Sequence, residues 1–439
     1  MLLRCYEKVR GRYKKKNLHN SKRYFQITVM NILFLILLCY NNNNNGLHRE
    51  SIRFYSRRRL SSSLLLKNRQ LLSSDPKTVA HKVPKFQKQE INYLDYDASH
   101  YRPSLIESNA IQNKNFNSNS GCVIWKSNFT TNNFYSSTKL GLWKEEFDNF
   151  VKLRQRTKNI ILPDIRKLMN SDYSNHEEIC SKYTDVVPGE AMSLKQYFPN
   201  SYKLLSYSEK LGYMEPLVPP LRHYGFCIPG DEGKHYIGNL DYILHDFGHM
   251  CRHSIQHSTK TVFIDMGANY NFNKDMDTVD EYAPTIRLIN TYRRHGIHFD
   301  HIYAYELTPI DTERVYKTTP TYIHAALHWI NTGVNAEINH LHNPFTMIKE
   351  RYTADDFVVI KLDIDTVHVE LPLVLQLLKD EELHKIVNVF YFEHHVDMEE
   401  MYPYWGKWDT ATTKLSTITE SLQIFSELRR AGIASHYWI

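Results

Sequence analysis

The rhythm of hydrophobic and polar positions divides the chain into unlike stretches. An apolar run, ITVMNILFLILLCY, occupies 27–40. Residues 75–141 are polar, rich in Asn and Ser and without clear period, which predicts a linker. Over 142–258 apolar residues fall at helical spacing, as in Trp143, Phe147, Phe150 and Val151, until Pro163 interrupts them. A mainly helical accessory region is expected there. Within it Glu215-Pro216-Leu217-Val218-Pro219-Pro220 is extended, because proline removes donors and disfavours helix before it.

From Thr261 the pattern changes. TVFID (261–265), HIYAYE (301–306), a stretch within HWINTGVNAE (328–337), DFVVIKLDID (356–365), IVNVFYFEHH (386–395) and IASHYWI (433–439) read as six strands. The fourth is apolar on both faces, as a central parallel strand must be. Helices are expected between them. Ala283, Ile286, Ile289 and Tyr292 mark one face, with Gly296 to end it. Leu371, Val374, Leu375 and Leu378 mark a second, and Leu415, Ile418, Leu422, Phe425 and Leu428 a third, closed by Gly432. Such alternation predicts an α/β domain over 259–439 with a Rossmann-like, doubly wound, mostly parallel sheet.

Charge is unevenly placed. Residues 1–74 carry 16 Lys/Arg against Glu7 and Glu50, while the whole 439-residue chain is only +6. The rest is therefore net acidic and gives no case for nucleic acid as a partner. Nine basic residues in 1–23 precede the apolar run and five follow in 41–60. With Tyr24, Phe25 and Gln26 the run reaches 17 residues, the lower edge of a spanning helix. It reads as a signal anchor over 24–40 with the remainder in a secretory lumen, Golgi or endoplasmic reticulum. The alternative is a cleaved two-part leader routing the chain to an organelle, since 51–74 is rich in Arg, Ser and Leu and free of acids. Asn128-Phe129-Thr130 is the single glycosylation sequon. Cys122, Cys180, Cys227 and Cys251 could form two disulfides in an oxidising compartment or remain thiols in a reducing one. No C-x-x-C pair exists for a zinc ribbon.

Ligands of open parallel sheets bind outside the carboxyl ends of the strands. Asp265-Met266-Gly267-Ala268-Asn269 follows the first strand, where glycine lets the backbone approach a ligand. Glu306 ends the second, where an acid can accept both hydrogen bonds of a ribose diol. Asp363 and Asp365 end the fourth, and Glu393, His394 and His395 the fifth. Adjacent residues point to opposite faces, so only one of the two histidines can face a site. Plainer roles exist for each: Asp265 as a helix cap, Glu306 as a surface acid, Asp363 and Asp365 as solvated loop acids. His245, His249 and His253 stand at i, i+4 and i+8, either on a metal-facing helix or packed at an interface. Without H-E-x-x-H or a fourth ligand, no metal site is expected there, and Glu393-His394-His395, which could ligate a metal too, reads rather as an acid or base at the cleft rim.

This order resembles class I S-adenosylmethionine-dependent methyltransferases, and within them the FkbM-type group. The matching residues are FIDMGAN (263–269), YAYE (303–306) and KLDID (361–365), set against D-x-G-A-N, an acid after the second strand and K-x-D-x-E-G. Departures are Asn271 where a glycine is usual and Asp365-Thr366 in place of Glu-Gly. The segments PLVPPLRHYGFC, HDFGHMCR and YFEHHV are also similar to a largely algal eukaryotic family of methyltransferase-like proteins. The resemblance implies S-adenosylmethionine as cofactor and an oxygen or nitrogen acceptor. It puts Asp265, Gly267 and Asn269 near the cofactor's methionine and ribose, Glu306 on its ribose hydroxyls and Asp363 at the turn of the same pocket. Asp365, Glu393 and His394, in that order, are the candidate general bases. Two other functions fit parts of the pattern. A lumenal glycosyltransferase would use Asp363-Ile364-Asp365 to hold a metal against phosphates, and a non-catalytic relative would use none of these residues.

The leader is tested directly. An uncleaved anchor predicts that the full-length chain stays with membranes after alkaline carbonate extraction. A soluble mature protein starting beyond residue 74 would reject the anchor in favour of organelle import.

Overall fold

The computed structural model describes residues 101–105, 107–108, 145–153, 194–217, 240–251, 258–268, 284–402 and 415–439. All belong to one compact unit, Tyr93–Ile439. The leader with its apolar run, the sequon, His253 and Asn269 lie outside the described residues. No helix among the described residues is long and apolar enough to cross a membrane.

Each run of β-branched and aromatic residues beyond Thr261 forms a strand. They are β4 (Thr261–Met266), β5 (His301–Tyr305), β6 (Leu327–Ile330), β7 (Phe357–Leu362), β8 (Val387–Phe392) and β9 (Ala434–Tyr437). They form one sheet in the order β6-β5-β4-β7-β8-β9, and every neighbouring pair is parallel. Parallel neighbours need crossovers, and helices supply them. These are α1 (Pro284–Arg294), α2 (Thr312–Thr318), α3 (Pro344–Arg351), α4 (Val367–Lys379), α5 (Glu381–Ile386) and α6 (Ile418–Arg430).

Strand alternation divides the interior into two cores. Val262, Ile264, Met266, Val358, Ile360 and Leu362 face one side with residues of α3 to α6. Phe263, Phe357 and Val359 face the other with residues of α1 and α2. Because β4 and β7 are buried along their whole length, neither face could carry a polar pattern, as the sequence shows. α6 begins with a capping box between Thr417 and Glu420, and Gly432 follows its end at a φ of +86°.

The α4 face differs from expectation. Its buried residues are Glu370, Leu373, Val374 and Leu377, whereas the apolar period suggested Leu371, Val374, Leu375 and Leu378. Leucines and valines flank Pro372 on both sides, so two helical registers compete. Packing selects the one that carries Glu370 inward.

Segments expected as linker and accessory region supply parts of both cores. A helix over 145–153 buries Phe147, Phe150 and Val151 beside Val262 and Ile360. Three short strands, β1 (Tyr101–Arg102), β2 (Ser206–Ser208) and β3 (Gly212–Met214), form an antiparallel sheet. Its Tyr101 and Met214 join Phe263 and Val389. The tie is electrostatic as well as apolar. Glu107 is fully buried and accepts from Ser104 N at 3.0 Å, Ser206 Oγ at 2.7 Å and Leu217 N at 2.8 Å. Arg429 of α6, also fully buried, donates to Glu215 O and Ser435 O at 2.9 Å each. Its guanidinium lies 3.5 Å from Glu107 Oε1 and 3.7 Å from Glu215 Oε1. Glu215 Oε1 is 2.8 Å from His436 Nδ1 on β9. One cation thus joins two acids more than a hundred residues apart to the last helix and strand.

Removing it strands both acids in the interior. Arg429→Met is expected to cost about 3–5 kcal/mol in urea unfolding, and to make the 101–108 segment sensitive to limited proteolysis. A loss under about 1 kcal/mol, the scale of an exposed pair, would contradict this.

Candidate functional site

A row of in-register residues crosses the sheet near its carboxyl edge. Asp265 on β4 is paired with Lys361 on β7, Lys361 with Tyr391 on β8, and Tyr391 with His436 on β9. Register and alternation put all four on the same face. Lys361 is 2% exposed in its side chain and needs counter-charges. Its Nζ lies 2.9 Å from Asp363 Oδ2 and 3.1 Å from Asp265 Oδ1, and donates to Gly267 O at 3.3 Å. The Trp438 ring stands 5.6 Å away, and its Nε1 donates to Asp363 Oδ2 at 3.0 Å.

The charges sort themselves by burial. Burial opposes the Lys361 charge, but Asp265 and Asp363 together raise its pKa above the usual lysine value. Burial pushes Asp265 up to about 6 despite the lysine. Burial also works against Asp363, yet Lys361 and hydrogen bonds involving Glu393 and Trp438 hold it below the usual carboxylate range. Lys361 thus has two counter-ions, Asp265 inside the sheet and Asp363 at its edge.

This changes the readings of three residues. Asp265 is the fifth residue of β4, fully buried and committed to Lys361, so its carboxylate is in the sheet rather than in the turn. Gly267 has a φ of +89°, and a Cβ there would lie 1.6 Å from Asp363 O. What its bare backbone approaches is the neighbouring strand end. Its N–H and that of Ala268 donate to Tyr305 O at 3.0 and 2.9 Å. Asp363 is spoken for by Lys361 and Trp438.

Glu306 follows β5, half-buried, with Oε1 accepting from Thr308 N at 2.6 Å. Asn331 Nδ2 donates to Glu306 O at 2.8 Å and holds this turn. Asp365 lies one turn beyond β7 with a φ of +53° and a side chain 77% exposed. An aspartate tolerates that conformation better than most residues. Glu393 follows β8, buried, its N–H donating to Leu362 O at 3.0 Å.

The two adjacent histidines part company. His395 Nε2 lies 3.5 Å from Asp365 Oδ1 and 3.8 Å from Glu393 Oε2. His394 instead stacks on Phe392 at 4.9 Å, with Nδ1 2.9 Å from Ser421 Oγ on α6. Its carbonyl accepts from the Tyr437 hydroxyl. Burial, with His395 next to it, pushes the His394 pKa down to about 3. His394 is a neutral core histidine, and His395 is the one turned towards Asp365 and Glu393.

His245 precedes the helical turn Phe247–Met250, whose cap is Asp246 accepting from His249 N. His245 Nε2 lies 2.6 Å from the Tyr391 hydroxyl, which lies 2.9 Å from that of Tyr292. Its ring packs 4.5 Å from that of His436. His245 is thus packed against Tyr391, Tyr292 and His436. Cys251 is buried and disulfide-bonded, and no second cysteine lies among the described residues.

Lys361 and Trp438 were not singled out from the sequence, and of the two adjacent histidines the candidate base there is His394 rather than His395. A lysine inside an otherwise apolar central strand is a legible signal, because such a charge must be paired. Trp438 offers no comparable signal.

The chain matches no protein-family model, no curated protein and no solved structure.

Replacing the buried cation leaves two acids facing each other. Lys361→Met is expected to lose about 3–5 kcal/mol by urea unfolding. Adding Asp265→Asn should restore part of that loss, and additive losses would show that the groups are uncoupled.

Proposed function

We propose that the 259–439 region is a Rossmann-like domain that binds S-adenosylmethionine and transfers its methyl group to an oxygen or nitrogen acceptor. One observation carries the reading. The strand order reverses at β4, and the residues beside that point are Gly267 after β4 and Glu306 after the adjacent β5. In open α/β sheets this crevice is where ligands bind.

All-parallel strands in this order also suit dinucleotide binding. That chemistry needs a glycine-rich turn bringing a helix N-terminus to the pyrophosphate. Between Thr261 and His295 the sole glycine is Gly267. A sulfonium nucleoside has no phosphate to cradle, which favours the methyl donor.

In this reading Glu306 accepts from the ribose hydroxyls, giving up its bond to Thr308 N. The Gly267 turn, with Asn269 following it, borders the methionine part. Asp265 and Asp363 act from beneath, holding Lys361 and hence the shape of the turns. When bound, the cofactor supplies an already activated methyl group, so the protein's task is alignment and exclusion of water. Asp365 and Glu393, after β7 and β8, are the candidates to take a proton from the acceptor. His394 is the least favoured of the three, because it stacks on Phe392 with Nδ1 beside Ser421 Oγ on α6.

Purified full-length chain should gain thermal stability from S-adenosylmethionine or its demethylated product without added metal, because a ligand of the native state raises apparent stability. Calorimetry should show binding weakened by about 1–3 kcal/mol in Glu306→Ala, the range for hydrogen bonds to a charged group. Stabilisation by a sugar nucleotide with manganese, or by a nicotinamide dinucleotide, with none by S-adenosylmethionine, would overturn the proposal.

A further inference from the structure

Asp365, Glu393 and His395 come from two neighbouring strand ends, yet one donor atom of each lies within 4.8 Å of the other two. We propose that these three side chains form a binding site for a divalent first-row transition cation at the carboxyl edge of the sheet.

The spacing argues for an ion between them. His395 Nε2 is 3.5 Å from Asp365 Oδ1 and 3.8 Å from Glu393 Oε2. Direct hydrogen bonds of this kind close to about 2.7–3.2 Å. Two donors bound about 2.1 Å from one ion at a tetrahedral angle lie about 3.4 Å apart. The observed separations fit ligands sharing an ion better than groups bonded to one another.

The surroundings hold the ligands. Glu370 is buried inward on α4, and its Oε1 accepts from Ile364 N at 3.0 Å, fixing the turn that carries Asp365. Its Oε2 faces His395 Nδ1 at 3.9 Å. At 3.9 Å this is not a hydrogen bond, and closing to about 2.7–3.2 Å as an ion engages Nε2 would let the carboxylate orient the ring. Asp363, which could have competed for the ion, is occupied by Lys361 and Trp438, and its contact with Glu393 is one that the ion would have to share.

The donor set defines the ion class. Two carboxylates and an imidazole suit manganese, iron, cobalt or zinc, and the imidazole disfavours calcium. Glu393 and His395 are buried while Asp365 is exposed, so the ion would sit against the protein wall with positions left towards solvent. Three protein ligands leave room for oxygen atoms of water or of a substrate. The site stands on its own geometry and does not require the methyltransferase reading.

Chelator-stripped full-length chain is titrated with manganese(II), following loss of the free-ion electron paramagnetic resonance signal, and separately with zinc(II) by calorimetry. One saturable site per chain is expected. Asp365→Asn should weaken uptake at least about tenfold with the metal-free melting temperature unchanged, since the side chain is exposed and asparagine tolerates the same backbone. His395→Gln should act similarly, and Glu370→Gln should weaken uptake about 10–100-fold without touching the ion. No saturable uptake of either ion at millimolar concentration would overturn the site. So would equal uptake by the Asp365→Asn and His395→Gln chains.

Discussion

The Lys361 ammonium in the middle of the sheet is the constraint on which the carboxyl edge depends. A charge this deep in a parallel sheet persists only if it is paired and hydrogen-bonded. Satisfying it recruits Asp265 from the adjacent strand, Asp363 from its own turn, the Gly267 carbonyl from the next turn and the Trp438 ring from the chain's end. Three strands are thereby held at fixed spacing where a ligand crevice belongs. Gly267 follows from the same demand, because the turns after β4 and β7 close on each other until no side chain fits between them.

The row that starts at Asp265 and Lys361 continues into the hidden face of the sheet. Tyr391 reaches His245 and Tyr292, and His436 reaches Glu215. Glu215 in turn meets Arg429, which lies beside Glu107. Segments remote in sequence are thus tied to the sheet by polar groups whose separation would leave charges unpaired in the interior. Such a network is a costly way to gain stability, but it penalises every alternative register. It also explains why the 101–108 segment, polar by composition, is in the core.

Above this network the site residues fall into two kinds. Asp265, Asp363 and Lys361 neutralise one another and shape the turns. Glu306, Asp365, Glu393 and His395 lie beyond the strand ends, with Asp365 exposed and Glu393 and His395 buried. The division follows contact with the buried cation, which Asp265 and Asp363 make at 3.1 and 2.9 Å.

Much of the fold was legible in the sequence. Six apolar runs gave six strands in the right order, since a strand buried on both faces has few polar positions with which to disguise itself, but the runs ending at 337, 365 and 395 overshoot the observed ends at Ile330, Leu362 and Phe392. The glycine-containing turn and the acids at strand ends were found because parallel strands end on one edge. Their partners could not be found that way. The α4 face was ambiguous because leucines filled two registers, and only packing of Glu370 against the 364 turn resolved it. That His395 rather than His394 faces Asp365 depends on the parity with which β8 leaves the sheet. Period-2 alternation states that one of the two must face the site, but it does not choose. The burial of Glu107 was invisible, because a lone acid in a polar stretch reads as solvated until Arg429, 322 residues away, is brought beside it. Periodicity encodes which face of an element is inside. Which charges meet there is set by crossings between elements, and those exist only once the sheet has formed.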